Sequence, residues 1–283
     1  MRLLQNIIII LFFFQINSYS VEMKFLEKLP FKAGEKLLLT INVLGVYIGD
    51  QIIRIDAITN INGTNFFTGS GHLYTTPFIS SMYKVDDRET STIYPDNFMP
   101  FYYEKWINEG NWHDHLRFFF KPDQHHVIAY QQSRNDERQV LSYSGVLRNY
   151  FTLISCMRSV DYAYHIQNKV NLEINYLFGT AIKKAIFKPS YKKVNINSKD
   201  IETIYLEEIG GIGMNFYIRN DAYRTPVRLI IPAFEVIGFK TISIYVELKE
   251  FIPGNTEILL NKVVIPEVAT ELTNITNIIS TTN

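Results

Sequence analysis

Four of the six histidines fall between residues 113 and 126: His113, His115, His125 and His126. Side chains on a strand repeat every two residues, so His113 and His115 share one face. If the chain folds back at Lys121-Pro122-Asp123, His126 comes alongside. With Asp114 or Asp123 that group offers the imidazole and carboxylate donors of a zinc-type site. The same spacing argues against it. Asp114 points away from both histidines, and hairpin pairing sets His113 nearer Tyr130 than His126. The expectation is therefore a polar, solvated hairpin end, with His113, His115 and His126 the residues to watch for a metal and no cofactor expected.

The second candidate is Asp86-Asp87-Arg88-Glu89. Paired carboxylates do acid–base work when their surroundings push their pKa values apart. Neighbours on a strand face opposite ways, so Asp86 and Asp87 cannot act together on one atom. Asp87 and Glu89 share a face, with Arg88 opposite. The expected role is structural: a strand start held by an ion pair of Asp87 with Arg88 or Arg224. Cys156 is the single cysteine. A nucleophilic thiol needs a lowered pKa, whereas Cys156 falls toward the C-terminal end of a predicted helix, where the dipole raises it. It reads as a buried apolar residue. Gly210-Gly211-Ile212-Gly213 lacks the Gly-Lys-Ser/Thr ending of a phosphate loop and no helix follows it, so it reads as a turn between strands. No residue is expected to be catalytic.

The elements that carry these residues are mostly strands. Leu37, Leu39, Ile41 and Val43 alternate with Leu38, Thr40 and Asn42, and Ile53, Ile55 and Ala57 alternate with Arg54 and Asp56, around a glycine-bracketed reversal at Gly45 to Gly49. Asn62-Gly63 marks a tight hairpin turn. Short strand-like runs with turn residues between them continue to residue 248. Leu147, Tyr150, Phe151, Ile154 and Met157 recur at helical spacing, which predicts an amphipathic helix from Ser144 to Val160 with Ser144 as its cap and one apolar face. Thr76–Met82 reads as a second, short helical turn. Consecutive aromatics (Phe118-Phe119-Phe120, Phe66-Phe67) imply that both faces of those strands are covered, or that one lines a cavity. The predicted fold is mostly β: a large curved antiparallel sheet or open barrel with one or two short helices packed on it.

Composition excludes several classes. The chain has 283 residues, 28 basic and 28 acidic, 47% apolar and 14% aromatic. That is too apolar for disorder. Zero net charge points away from nucleic acid as a partner, and one cysteine closes no internal disulfide. Met1-Arg2, the apolar run Ile7 to Phe14 and Ser18-Tyr19-Ser20 read as a secretory leader cut after Ser20. The run is too short to span a membrane, which takes roughly 20 apolar residues. Residues 21–266 are expected to form one β-rich domain, a soluble monomer in the periplasm or outside the cell with no membrane span left after cleavage. Residues 267–283 are expected to form a flexible tail.

Several phrases together resemble one family. They are Pro30-Phe-Lys-Ala-Gly-Glu35, Leu44-Gly-Val-Tyr-Ile-Gly49, Tyr83-Lys-Val-Asp-Asp-Arg88, Pro100-Phe-Tyr-Tyr-Glu-Lys105 with Glu109-Gly110, and Asn220-Asp-Ala-Tyr-Arg-Thr-Pro-Val-Arg228. Their order is similar to that of the bacterial exported family catalogued as domain of unknown function 3108, from Leu29 to Glu250. The resemblance implies export and a β-rich domain, and it supplies no reaction and no catalytic residues. Asp86, Asp87, Arg88, Arg224 and Pro226 are then structural motif residues. One departure is the segment Ile196 to Ile201, where relatives often read Pro-Ala-Gly-Thr-Phe; its turn is expected on Asn197 and Ser198. The functional expectation is a non-enzymatic envelope protein that binds an apolar or glycan-like ligand, or an envelope partner, in a sheet–helix concavity. The alternatives are a metal-dependent or carboxylate-based hydrolase, and an interaction module that adds a strand to a partner.

Overall fold

The computed structural model describes residues 23–196, 198–234 and 242–260. The expected leader, its cleavage site, Asn197 and the expected tail lie outside the described residues.

Among the described residues, fifteen strands form a single sheet. The first run is β1 (Lys36–Val43), β2 (Val46–Ile61), β3 (Thr64–Thr75), β4 (Asp86–Ile93), β5 (Pro100–Glu109), β6 (Trp112–Lys121), β7 (His126–Gln131) and β8 (Glu137–Ser142). The second is β9 (Leu147–Arg148), β10 (Leu172–Phe178), β11 (Ala181–Ile196), β12 (Lys199–Gly210), β13 (Asn215–Arg219), β14 (Pro226–Phe234) and β15 (Ile242–Ile252). Each run is ordered as in the chain, and β1 pairs with β15 to join them. The sheet stays open, with β8 and β9 at its two ends. All pairings are antiparallel except β9 with β10. Three short helices accompany it: α1 (Pro77–Ser80), α2 (Tyr150–Ser159) and α3 (Tyr162–Gln167).

Local chemistry sets the reversals. Asn62 and Gly63 take φ of 50° and 82° between β2 and β3, the left-handed pair that a two-residue hairpin turn needs. Ser198, in the segment that departs from the family pattern, takes φ of 62°. Thr76 caps α1 by accepting from the Ile79 amide at 3.3 Å.

The predicted helix is corrected in extent and in setting. It starts at Tyr150, and Leu147-Arg148 is strand. Gly145, at φ of 66°, breaks the chain after Ser144. Asn149 is the true cap, in a reciprocal pair with Thr152: its side chain accepts from the Thr152 amide at 2.7 Å, and its own amide donates to the Thr152 hydroxyl at 2.9 Å. The expected single apolar face is also wrong, because every residue from Phe151 to Ser159 is buried. The sheet wraps the helix instead of leaving one side to water.

The core therefore lies inside the curved sheet, around α2. Leu37, Ile53 and Phe67 of the first run and Phe187, Leu206 and Phe216 of the second surround Phe151, Leu153 and Met157. A second cluster sets Leu147 and Leu177 against Phe118, Phe120 and Val127, drawing the two open ends together. The concave face of the sheet holds the helix. The fit is close enough that a Cβ on Gly69 would stand 2.1 Å from the Phe151 ring. Among the described residues no helix is long and apolar enough to cross a membrane.

Candidate functional site

With the inner face filled, the outward face of β3–β6 gathers four of the polar residues singled out by sequence, Asp86, Arg88, His113 and His115. Antiparallel register sets His72 opposite Arg88, Arg88 opposite Trp106, and Trp106 opposite His115. Facing residues on neighbouring strands project to the same side. At about 4.8 Å per strand, this row crosses roughly 14 Å of sheet. The Trp106 and His115 rings stack 4.8 Å apart at 10°, and Trp106 remains 39% exposed. His113 faces Asn108 at the end of the same hairpin.

The charges on this face are paired. Asp86 lies 2.7 Å from Nε2 of His72, with Lys84 at 3.7 Å and Arg88 at 3.9 Å. The His72 hydrogen bond, opposed by burial, holds its carboxyl below the usual range. Glu104 accepts from the Tyr102 hydroxyl at 2.9 Å and from Thr90 at 3.1 Å, and it lies 3.3 Å from Nε2 of His115. Phe119 stands 5.0 Å from Tyr102 and 5.9 Å from Tyr130. The three consecutive phenylalanines thus divide: Phe118 and Phe120 fill the core, and Phe119 joins an outer aromatic patch.

The histidines do not converge on a metal. His126 pairs with Lys121 at the far end of β6, roughly 20 Å along the strand from His115. His125 caps the turn at Pro122–Gln124 in a left-handed conformation. Among the described residues no group of three or more His, Cys, Asp or Glu is placed to hold a metal ion.

On the inner face of the same strands, Asp87 and Glu89 sit side by side and buried, with Arg88 outward. The expected ion pair is corrected. Asp87 pairs with Lys105 of β5 at 3.0 Å and accepts from the Asn108 amide at 2.9 Å. Arg88 faces the wrong way, and Arg224 lies over the Tyr162 ring at 5.8 Å. Glu89 accepts from the Tyr103 hydroxyl at 2.8 Å and occupies the space that a side chain on Gly71 would fill. Burial pushes the Glu89 carboxyl up, against the pull of Lys105 and the Tyr103 hydrogen bond. Burial, and then the charge of Asp87, raise Glu109 as well.

A raised carboxyl binds its proton more tightly in the folded protein than in the unfolded chain. Its stabilising contribution is complete below the unfolded pKa, about 4.3, and is lost as pH rises through the folded value. Glu89→Gln keeps an acceptor for Tyr103 and removes the titration. The variant is expected to gain stability over the wild type at neutral pH and to flatten its decline above about pH 4.3. Urea melts across that range test it. A wild-type pH profile retained by the variant would show that Glu89 is ionised in the fold at ordinary cost.

Arg158 of α2 makes a two-pronged ion pair with Glu35, including Nη2 to Oε2 at 3.0 Å, and donates to the carbonyls of Tyr223 at 2.9 Å and Arg224 at 3.1 Å. The segments 30–35 and 220–228 thus meet on one guanidinium. Pro226 opens β14 opposite Ile218. Around Gly210–Gly213 the amides of Ile212 and Met214 donate to the Glu208 carboxylate at 3.1 and 2.5 Å, so the turn wraps an anion of its own chain. Cys156 is fully buried, and burial raises its thiol. Sequence reading missed His72, Trp106 and Arg158. The first two join the site only through register. Arg158 carries a signal, as the one charged residue in the helical run Tyr150–Ser159.

A family model described as "Protein of unknown function (DUF3108)" matches residues 38–240. No curated protein matches. Among solved structures, the chain is similar to a β-barrel-like protein of domain of unknown function DUF1849 from Brucella abortus. The TM-score is 0.52 at 6% identity, over 78% of this chain and 98% of that one. At that identity the likeness concerns the fold alone.

Proposed function

We propose that this chain, which belongs to the DUF3108 family of proteins of unknown function, is an exported protein of the bacterial cell envelope that binds glycan chains without transforming them. The leader-like N-terminus supports export. The observation that carries the ligand is the row His72–Arg88–Trp106–His115, with a partly exposed indole at its centre.

A sugar ring presents C–H groups on its faces and hydroxyls at its edge. The negative face of an indole attracts polarised C–H groups. The guanidinium of Arg88, the carboxylate of Glu104 and the imidazole of His115 supply donors and acceptors for hydroxyls. Asp86 already has Lys84 and Arg88 beside it, and Glu104 already accepts hydrogen bonds from Tyr102 and Thr90. The face therefore offers aromatic surface and hydrogen bonds without a large field of one sign, which suits an uncharged polyol over a polyanion. Asp87 and Glu89 lie on the opposite face of the sheet from Trp106, and the two carboxyls on the Trp106 face are engaged, Asp86 by His72 and Glu104 by Tyr102 and Thr90, which supports binding over carboxylate-based hydrolysis.

Protein purified from the periplasmic fraction is expected to begin at Val21 and to bind peptidoglycan sacculi or soluble chito-oligosaccharides, with a change in tryptophan emission. Trp106→Ala is expected to weaken binding about tenfold or more, the loss of one exposed anchor worth roughly 1.4 kcal/mol, while the thermal transition stays near that of the wild type. Undiminished binding by Trp106→Ala would overturn the site. A wild-type protein that binds no glycan, yet loses a co-purifying protein when Trp106 is replaced, would assign the face to a protein partner.

A further inference from the structure

We infer that the chain carries a second binding site, for a single-chain amphiphile with an anionic head, in the groove under the tip of the β11–β12 hairpin. The hairpin is long, and Asn195 near the end of β11 folds over onto β14. Arg228 donates to the Asn195 carbonyl at 3.2 Å and pairs with Glu247 at 2.5 Å. This fold-over forms a small apolar cluster of Val194, Ile196, Tyr217 and Val227, separate from the main core. Beside it lies an open groove of about 310 Å³, at the lower end of the roughly 300–1,000 Å³ typical of small-molecule sites.

Two chemistries meet in this groove. Ile196 and Val227 are buried and make its floor, with Ile201 and Leu248 half-buried beside them. The charged lining is unbalanced: Lys199, Arg219 and Lys249 against Glu250. Two of the cations have a distant carboxylate, Arg219 with Asp221 at 3.5 Å and Lys249 with Asp50 at 4.0 Å. Both distances are long; Arg219 and Asp221 are each partly exposed, so that pair is weak, and Lys249 is half-exposed although its Asp50 is buried. An apolar floor with a cationic border fits a ligand that has an apolar body and one negative end. A sugar fits it poorly, since the floor offers nothing to hydroxyls. A cationic amphiphile would meet like charge. The site shares no residue with the Trp106 face and does not depend on the glycan reading.

Delipidated full-length mature protein is titrated calorimetrically, below micelle formation, with dodecanoate and with dodecyltrimethylammonium. Saturable one-to-one binding of dodecanoate is expected, at least tenfold tighter than that of the cation. Lys199→Glu, an exposed change that leaves the floor intact, is expected to weaken dodecanoate at least tenfold. Ile201→Asp, which alters the apolar wall, is expected to do the same, with the circular dichroism of both variants unchanged. No saturable dodecanoate binding, equal binding of both amphiphiles, or binding indifferent to Lys199→Glu would each overturn the inference.

Discussion

Replacing Arg158 by alanine is expected to cost about 3–5 kcal/mol of folding stability, the typical penalty for removing one member of a buried ion pair. At roughly 2–4 °C per kcal/mol for a domain of this size, the thermal midpoint should fall by about 10 °C. The reason is the stranded partner. The side chains of Arg158 and Glu35 are each only 3% exposed, so the substitution leaves a carboxylate in the core without its guanidinium. It also removes the donors to the Tyr223 and Arg224 carbonyls and the cation stacked 5.0 Å from the Phe31 ring. Arg158→Lys should recover little, because an ammonium cannot serve two carboxylate oxygens and two carbonyls from one planar fork. The double variant Glu35→Gln/Arg158→Met separates the causes. If the penalty comes from the unpaired charge, the double variant is more stable than Arg158→Ala, since a buried pair replaced as a whole is often nearly neutral. If the double variant is no more stable than Arg158→Ala, the two carbonyls matter more than Glu35. Urea denaturation of the four proteins decides it.

This tie also shows how far sequence patterns reach in this fold. Period-two alternation correctly sets Asp87 and Glu89 on one face of β4 and Arg88 on the other, because the pleat alone dictates it. Asn62-Gly63 marks its hairpin for an equally local reason. The partner of Asp87 is a different kind of fact. Lys105 and His72 reach β4 from flanking strands, and cross-strand register is not encoded in any one segment. The same holds for the row through Trp106, whose members are spread from residue 72 to residue 115. The helix was misjudged because an amphipathic pattern presumes water on one side. Here the polar residues Ser155, Arg158 and Ser159 face protein: the two serines bond to carbonyls one turn back at 3.4 and 2.9 Å, and Arg158 finds Glu35. A helix enclosed by a sheet needs its polar groups satisfied internally, and that demand is visible only when the sheet is present.

Gly69→Ala is the second substitution expected to act strongly, through close approach and not through backbone conformation. Gly69 is absent from the glycines with positive φ, so alanine can adopt its backbone, and strand glycines generally gain about 0.5–1 kcal/mol from added stiffness. Against this, the new Cβ would stand 2.1 Å from two ring carbons of Phe151, a distance that forces the ring or the strand to move. Phe151 is only 2% exposed and stands in the first turn of α2, after the Asn149 cap, so it has no open space to enter. Overpacking of this kind costs about 1–3 kcal/mol or more, and a net loss is expected. Phe151→Ala alone should cost about 3–5 kcal/mol from the cavity it leaves. Combined, the two changes should cost less than their sum by about 0.5–3 kcal/mol, since each relieves the fault of the other. Additive losses would mean that Gly69 is needed for something other than the ring. The contact also bears on binding. The Asn149 cap donates to Ser91 of β4 at 2.9 Å, so α2 is fastened to β3 and β4, whose outward sides carry His72 and Arg88. Gly69→Ala should therefore weaken the proposed glycan binding along with stability, and the Phe151→Ala suppressor should restore that binding in the same proportion. Lost stability with binding unchanged would show that the outer row holds its register without the helix behind it.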